Sequence, residues 1–156
     1  MKSKRRKLRE KVLQILYAYE MNGGGLSEII EDQLQDITVK EDKEFCTGLI
    51  NFVLAERKEI EDKIEKRLVN WDVTRIAVLD KLLLKIGIGE LMFAVDIPPK
   101  VTINETIEIA KEYSTAKSGK FINGILDAIL LDLKKEGKIK KVGRGLIENS
   151  LPKQAN

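Results

Sequence analysis

The chain has 156 residues, including 28 Lys or Arg and 25 Asp or Glu, with one cysteine and no histidine. This length suits one domain or two small helical halves that share a core. A single cysteine excludes an internal disulfide, and without histidine almost no transition-metal site can be built, so we expect no metal and no cofactor. The charged N-terminus is not followed by an apolar segment, so we predict a cytoplasmic protein without a signal peptide or membrane span.

The net charge of +3 is unevenly distributed along the chain. Residues 1–11 carry a net charge of +6 and residues 134–156 a net charge of +5, which leaves −8 on the segment between them. An acidic body with two basic ends indicates polyanion binding at the ends and a protein partner elsewhere.

Apolar residues recur at helical spacing through most of the chain. This spacing predicts helices over residues 3–21, 27–35, 41–56, 56–70, 74–93, 103–113 and 118–133. Thr102 and Glu105 match a capping box, and Ser118 is a candidate N-cap for the last helix. No segment alternates with the two-residue period of a strand, so we predict an all-α fold of about seven helices. Residues 1–136 form the helical domain, and residues 137–156 are expected to be a basic, loosely held tail.

The predicted helix over residues 74–93 is apolar on nearly every side. Asp80, Lys81 and Lys85 fall within one sector of about 140°, so neighbouring helices must cover the remainder. Glu90 lies opposite that sector, and we favour an exposed helix end over a buried, paired carboxylate. Gly87 and Gly89 suggest that another backbone passes close to this helix.

No sequence motif for catalysis is present. The three glycines at 23–25 follow a helix and lack the Lys-Ser/Thr pair of a phosphate-binding loop. Cys46 stands in a helical pattern without a nearby base, which favours a buried and inert thiol. We therefore expect no catalytic residue in this chain.

The basic residues Lys4, Arg5, Arg6 and Arg9 occupy the first turns of the first helix. Positive charge at that position opposes the positive end of the helix dipole, so folding alone does not explain it. Nucleic-acid binding explains it better, and the alternative is a frayed, solvated terminus.

The second half of the chain resembles a known family. The matching residues are Trp71, Arg75 and Asp80, then Glu90-Leu91, Pro99-Lys100-Val101, Ile103-Asn104-Glu105, Ile107-Glu108, Ala110-Lys111, Ser118, Lys120-Phe121-Ile122-Asn123-Gly124 and Leu126-Asp127. In the first half, Arg5, Arg6, Arg9 and Leu16-Tyr17 also match. In order and spacing these residues resemble the NusB family of bacterial transcription antitermination factors, over about residues 4–133.

The resemblance implies an all-helical fold of two subdomains, no catalysis, and binding of the boxA element in the leader RNA of ribosomal RNA operons. It also implies a heterodimer with NusE, the small-subunit ribosomal protein, that joins NusA, NusG and RNA polymerase. On this basis the RNA-binding candidates are Lys4, Arg5, Arg6, Arg9, Tyr17, Lys120 and Phe121. Asp80 and Lys85 are the candidates toward NusE, although Lys85 stands where the family usually has arginine.

Three alternatives remain open at this point. Tyr17 and Phe121 are about as well explained as core residues. The chain could be a helical protein–protein adaptor that does not bind RNA, which leaves the basic N-terminus unexplained. It could also be a stand-alone relative of the RNA-binding domain of ribosomal RNA cytosine methyltransferases, since its length leaves no room for their catalytic domain.

Overall fold

The computed structural model describes residues 2–147, and this part of the chain contains seven α-helices and no strand. The helices are α1 (Lys4–Asn22), α2 (Leu26–Gln33), α3 (Lys40–Ala55), α4 (Arg57–Arg67), α5 (Val78–Phe93), α6 (Pro99–Tyr113) and α7 (Ala116–Lys135). Two short 3-10 turns cover Val73–Arg75 and Gly143–Leu146. The predicted all-α class and the number of helices are confirmed.

Helix α5 is the centre of the molecule. It packs against five other helices, α1, α3, α4, α6 and α7. Leu84, Ile88 and Leu91 of this helix are completely buried. The N-terminal half, α1–α3, and the C-terminal half, α4, α6 and α7, therefore share one hydrophobic core across α5.

The two glycines of α5 admit neighbouring side chains rather than another backbone. A Cβ at Gly89 would lie 2.6 Å from Val53 of α3, and one at Gly87 would lie 3.0 Å from Leu126 of α7. The prediction of a close backbone is wrong, because branched side chains fill the space of the missing Cβ atoms.

Both predicted N-cap side chains lie inside helices instead. Helix α6 begins at Pro99, and the hydroxyl of Thr115 caps α7 by accepting from the Ser118 amide at 3.2 Å. Thr102 and Ser118 are buried, and their hydroxyls donate hydrogen bonds to Glu90 and Asp80 of α5. The expectation that Glu90 is exposed is wrong, because Glu90 is 1% exposed and paired.

Residues 138–147 pack against the connection between α5 and α6. The amide of Val142 donates to the carbonyl of Val95 at 3.0 Å, and the ammonium group of Lys141 donates to the carbonyl of Ala94 at 2.6 Å. This part of the predicted tail is held by the helical body, and residues 148–156 lie outside the described residues. Within residues 2–147, no helix is long and apolar enough to cross a membrane.

Candidate nucleic-acid interface

Most basic residues at the start of α1 are paired with carboxylates from other elements. Lys2 pairs with Glu112, Lys4 with Asp42, Arg6 with Glu105 and Lys11 with Asp36. The positive charge of this terminus therefore also ties α1 to α3, to α6 and to the loop after α2. The sequence argument that folding does not explain these residues was incomplete, because their partners are distant in the chain.

Among the predicted RNA-binding residues, Arg9 has the position that fits RNA binding least. Its side chain is 3% exposed and forms two hydrogen bonds to Glu90, at 2.6 and 3.0 Å. A guanidinium group enclosed in this way cannot reach an RNA phosphate without breaking a buried pair. We therefore assign Arg9 to the core and remove it from the RNA surface.

Three other predicted basic residues remain at the surface. The Lys4 side chain is 65% exposed, although its ammonium group pairs with the buried carboxylate of Asp42 at 2.7 Å. The guanidinium of Arg5 lies 4.2 Å from the centre of the Phe45 ring, which fixes its position but leaves its donors available. Arg6 is partly covered by Glu105. Lys7, which the resemblance does not include, is exposed beside them.

The second predicted patch, Lys120 and Phe121, lines an open cleft of about 1010 Å³ at the start of α7. We call it the aromatic cleft; its walls are Trp71, Asp72, Arg75, Ile76, Ala77, Asp80, Ser114, Thr115, Lys117, Ser118, Lys120, Phe121, Gly124 and Ile125. Trp71 meets the Phe121 ring edge-to-face with centroids 4.9 Å apart. Trp71 is 52% exposed, so part of this aromatic surface is open to solvent.

Aromatic surface beside basic side chains is what single-stranded RNA requires. Flat rings stack on unpaired bases, and ammonium or guanidinium groups neutralise the phosphates. Lys117, Lys120 and Arg75 are exposed at the cleft. The cleft can therefore hold an unstacked base with its phosphates at the rim.

Asp80 lies at the inner wall of the aromatic cleft. One of its carboxylate oxygens accepts from the Ser118 hydroxyl at 2.8 Å, and the other has no hydrogen-bond partner among residues 2–147. This oxygen is itself buried, so its lack of a donor is costly unless a donor reaches it from the cleft.

Tyr113 connects the N-terminal patch with the aromatic cleft. Its hydroxyl donates to Glu10 at 3.2 Å and accepts from Gln14 at 3.3 Å, both on α1, and the next residue, Ser114, lines the cleft. Burial raises the pKa of the Tyr113 hydroxyl, which keeps its proton available for Glu10. Tyr17 is 41% exposed one turn beyond Gln14, so it is not a core residue. Phe121 is half-buried and serves both the core and the cleft.

Lys85 does not share a site with Asp80. Its ammonium group donates to Glu61 of α4 at 3.0 Å, and its side chain is 17% exposed. Five residues separate the two side chains, which places them about 140° apart around the helix. The structure therefore divides the predicted partner-binding pair, and Lys85 acts mainly in holding α4 against α5.

Sequence reasoning missed Trp71 and Lys117 as cleft residues and Tyr113 as the link between the patches. The sequence analysis used Trp71 only as one of the matching residues, and an aromatic side chain outside any helical pattern is the signal that could have drawn attention to it. For Lys117 and Tyr113 no local pattern was available, since their positions depend on how α1 packs across the α6–α7 turn.

Comparison with known proteins identifies the family of this chain. The family model described as "NusB family" matches residues 6–131. The transcription antitermination protein NusB of Chloroherpeton thalassium is 44% identical over 149 residues, which cover 92% of this chain and 69% of the relative. The solved structure of T. maritima NusB has a TM-score of 0.77 at 39% identity and covers 85% of this chain and 94% of its own.

A structure of the antitermination factors NusB and NusE in complex with double-stranded RNA is also similar. Its TM-score is 0.74 at 26% sequence identity, and the match covers 82% of this chain and 96% of the compared chain. The sequence and structural matches cover most of the chain, and the family model spans the helices that build the aromatic cleft. The chain belongs to the NusB family.

Proposed function

We propose that this chain is a transcription antitermination factor that binds the boxA element of ribosomal RNA leader transcripts together with NusE. Within that complex it joins NusA, NusG and RNA polymerase in the cytoplasm. Membership in the NusB family makes it an RNA-binding protein rather than an enzyme. The observation that carries the assignment of residues is the aromatic cleft, where Phe121, Lys120 and Asp80 lie together.

The RNA surface runs from Lys4, Arg5 and Arg6 past Tyr17 to Lys120 and Phe121. The exposed cations neutralise phosphates, and the rings of Phe121 and Trp71 stack on a base. Tyr113 supports this path because it ties α1 to the rim of the cleft. These contacts support a single strip rather than two separate patches.

Asp80 is the residue through which NusE reaches this strip. Its free carboxylate oxygen accepts a donor from NusE at the wall of the cleft that also holds RNA. Because the two ligands meet at one cleft, each stabilises the surface that the other uses. This arrangement supports cooperative binding of RNA and NusE.

The test of the RNA surface is a titration with boxA RNA and with a scrambled RNA of equal length, without and with NusE. We expect weak binding to the chain alone and tighter, sequence-selective binding once NusE is present. Equal affinity for both RNAs in the presence of NusE would contradict the proposal. An adaptor would bind NusE and ignore both RNAs.

Substitutions in the cleft separate its RNA role from its partner role. Phe121→Leu should weaken RNA binding by about tenfold or more through loss of stacking. Lys120→Gln should reduce the salt slope by about 0.7, as expected for one single-strand phosphate contact. Lys58→Gln on α4 is the matched control, because Lys58 is exposed and lies outside the cleft.

Asp80→Asn should leave binding of RNA to the chain alone unchanged and weaken binding to NusE by about tenfold, since a charge-assisted hydrogen bond is lost. The increase in RNA affinity that NusE causes should become smaller as NusE binding weakens. If RNA binding to the chain alone also falls, Asp80 contacts RNA and the partner surface lies elsewhere.

A further inference from the structure

A second basic depression lies at the opposite end of α7 from the aromatic cleft. It is an open groove of about 640 Å³ lined by Pro99, Lys100, Leu130, Lys134, Ile139, Lys140, Lys141, Gly145, Leu146 and Ile147. We call it the C-terminal groove, because residues 139–147 form one of its walls. The family model ends at residue 131, so that wall lies outside the matched region.

The charged residues that line the C-terminal groove are all lysines. Lys100, Lys134 and Lys140 are exposed, and none of them forms an ion pair with another described residue. No acidic residue is among the described residues that line the groove. This contrasts with the N-terminal patch, where most cations already have carboxylate partners. Three uncompensated ammonium groups around one groove fit an anionic ligand.

The wall formed by residues 139–147 is fixed in place by contacts with the body. Val142 donates its amide proton to Val95, and Gly145 lies so close to the Val95 carbonyl that a Cβ there would clash. Lys141 is turned inward to the Ala94 carbonyl, and burial lowers the pKa of its ammonium group. Lys140 is therefore presented from an anchored segment, opposite Lys134 of α7 and Lys100 of α6.

Helix geometry places the groove in line with the aromatic cleft. Lys120 and Lys134 are 14 residues apart on α7, which corresponds to about 21 Å along the axis and only about 40° around it. The face between them is exposed at Asn123, Gly124, Asp127 and Leu131. A strand that leaves the cleft along α7 thus reaches the groove without crossing a buried element.

We propose that the C-terminal groove is a second RNA site, which holds phosphates of the nucleotides that flank the segment bound at the aromatic cleft. The inference rests on the proposed RNA binding and extends its footprint. The described residues that line the groove are apolar residues, a glycine and lysines, with no aromatic residue and no arginine among them. Lysine acts on phosphate as a point charge, and without stacking surfaces the site reads no base. The groove therefore adds affinity that depends on salt but not on sequence.

The experiment compares a boxA RNA with the same RNA extended at one end, and then at the other, by an unstructured uridine run. The test variant is Lys100→Gln/Lys134→Gln/Lys140→Gln. The control variant, Lys43→Gln/Lys58→Gln/Lys66→Gln, removes the same charge from exposed positions on α3 and α4. Thermal unfolding followed by circular dichroism checks that both variants are folded.

For the native chain, one extended RNA should bind more tightly than boxA RNA. The groove variant should lose that gain, on the order of tenfold at 0.1 M salt, with a salt slope lower by up to about 2. Its affinity for unextended boxA RNA should be unchanged. An adenosine run should behave like the uridine run.

Several results would overturn the groove site. The first is that extending the RNA at either end does not raise its affinity. The second is that the control variant loses as much affinity for the extended RNA as the groove variant. The third is that the groove variant loses NusE binding but still binds the extended RNA more tightly, which would assign the groove to a protein. In each of these cases the native chain still binds unextended boxA RNA, so the proposed function stands. If that binding is absent, both proposals fail together.

Discussion

Helix α5 carries two buried carboxylates, Glu90 and Asp80, whose surroundings differ in a way that separates stability from binding. Glu90 is 1% exposed and accepts hydrogen bonds from the Arg9 guanidinium and the Thr102 hydroxyl. Asp80 is 8% exposed, has Ser118 as its single donor in the described part of the chain, and borders the aromatic cleft. The first carboxylate has donors for both oxygens inside the fold, and the second has one buried oxygen without a donor among the described residues. A buried charge is thus a structural residue at one end of the helix and a binding candidate at the other.

The largest loss of stability should follow from breaking the ion pair between Glu90 and Arg9. Arg9→Ala leaves the Glu90 carboxylate buried with only Thr102 as a donor, which should lower the free energy of unfolding by about 3–5 kcal/mol. Urea denaturation measures this change. Arg5→Ala is the control, since Arg5 contacts the face of Phe45 and lies nearer solvent. If Arg9→Ala were as stable as the control and lost RNA affinity, Arg9 would have to be returned to the RNA surface.

Removing the neutral donor to the same carboxylate, the Thr102 hydroxyl, should lower the free energy of unfolding by a smaller amount. Thr102→Val keeps the shape of the side chain and removes the hydroxyl that donates to Glu90. Loss of a hydrogen bond to a charged group should cost about 1.5–3 kcal/mol in chemical denaturation. Thr47→Val on the exposed face of α3 provides the comparison, because its hydroxyl bonds only to its own helix. Equal values for the two variants would mean that Arg9 alone satisfies Glu90.

The matched change at Asp80 should have the smallest effect on stability. Ser118→Ala removes the hydroxyl that donates to Asp80, but water from the open cleft can replace it. We expect a loss of less than about 1 kcal/mol in the same denaturation assay. A loss as large as that of Thr102→Val would show that Asp80 is sealed from the cleft. In that case the contrast between the two carboxylates would not hold.

The helical core was largely readable from the sequence because it depends on local spacing. The apolar periodicity predicted all seven helices, and the largest boundary errors, four residues each, are at the starts of α5 and α6. The strong apolarity of α5 identified it as the central helix. The aromatic residue Phe121 and the cation Lys120 were found through their family-like motif, which is also local in the chain. Periodicity and motif spacing are properties of neighbouring residues, and no tertiary contact is needed to read them.

The sequence by itself therefore determined the all-α class, the central helix and the family. The tertiary structure decided which charges are used inside the fold. Arg9 is separated from Glu90 by 81 residues, and Asp80 is separated from Ser118 by 38. Serine and threonine near a helix start suggest caps, yet Thr102 and Ser118 serve buried carboxylates, because the energy of a buried charge depends on donors that packing brings to it. Charge counted along the chain cannot distinguish a paired cation from a free one, and only the fold shows that difference.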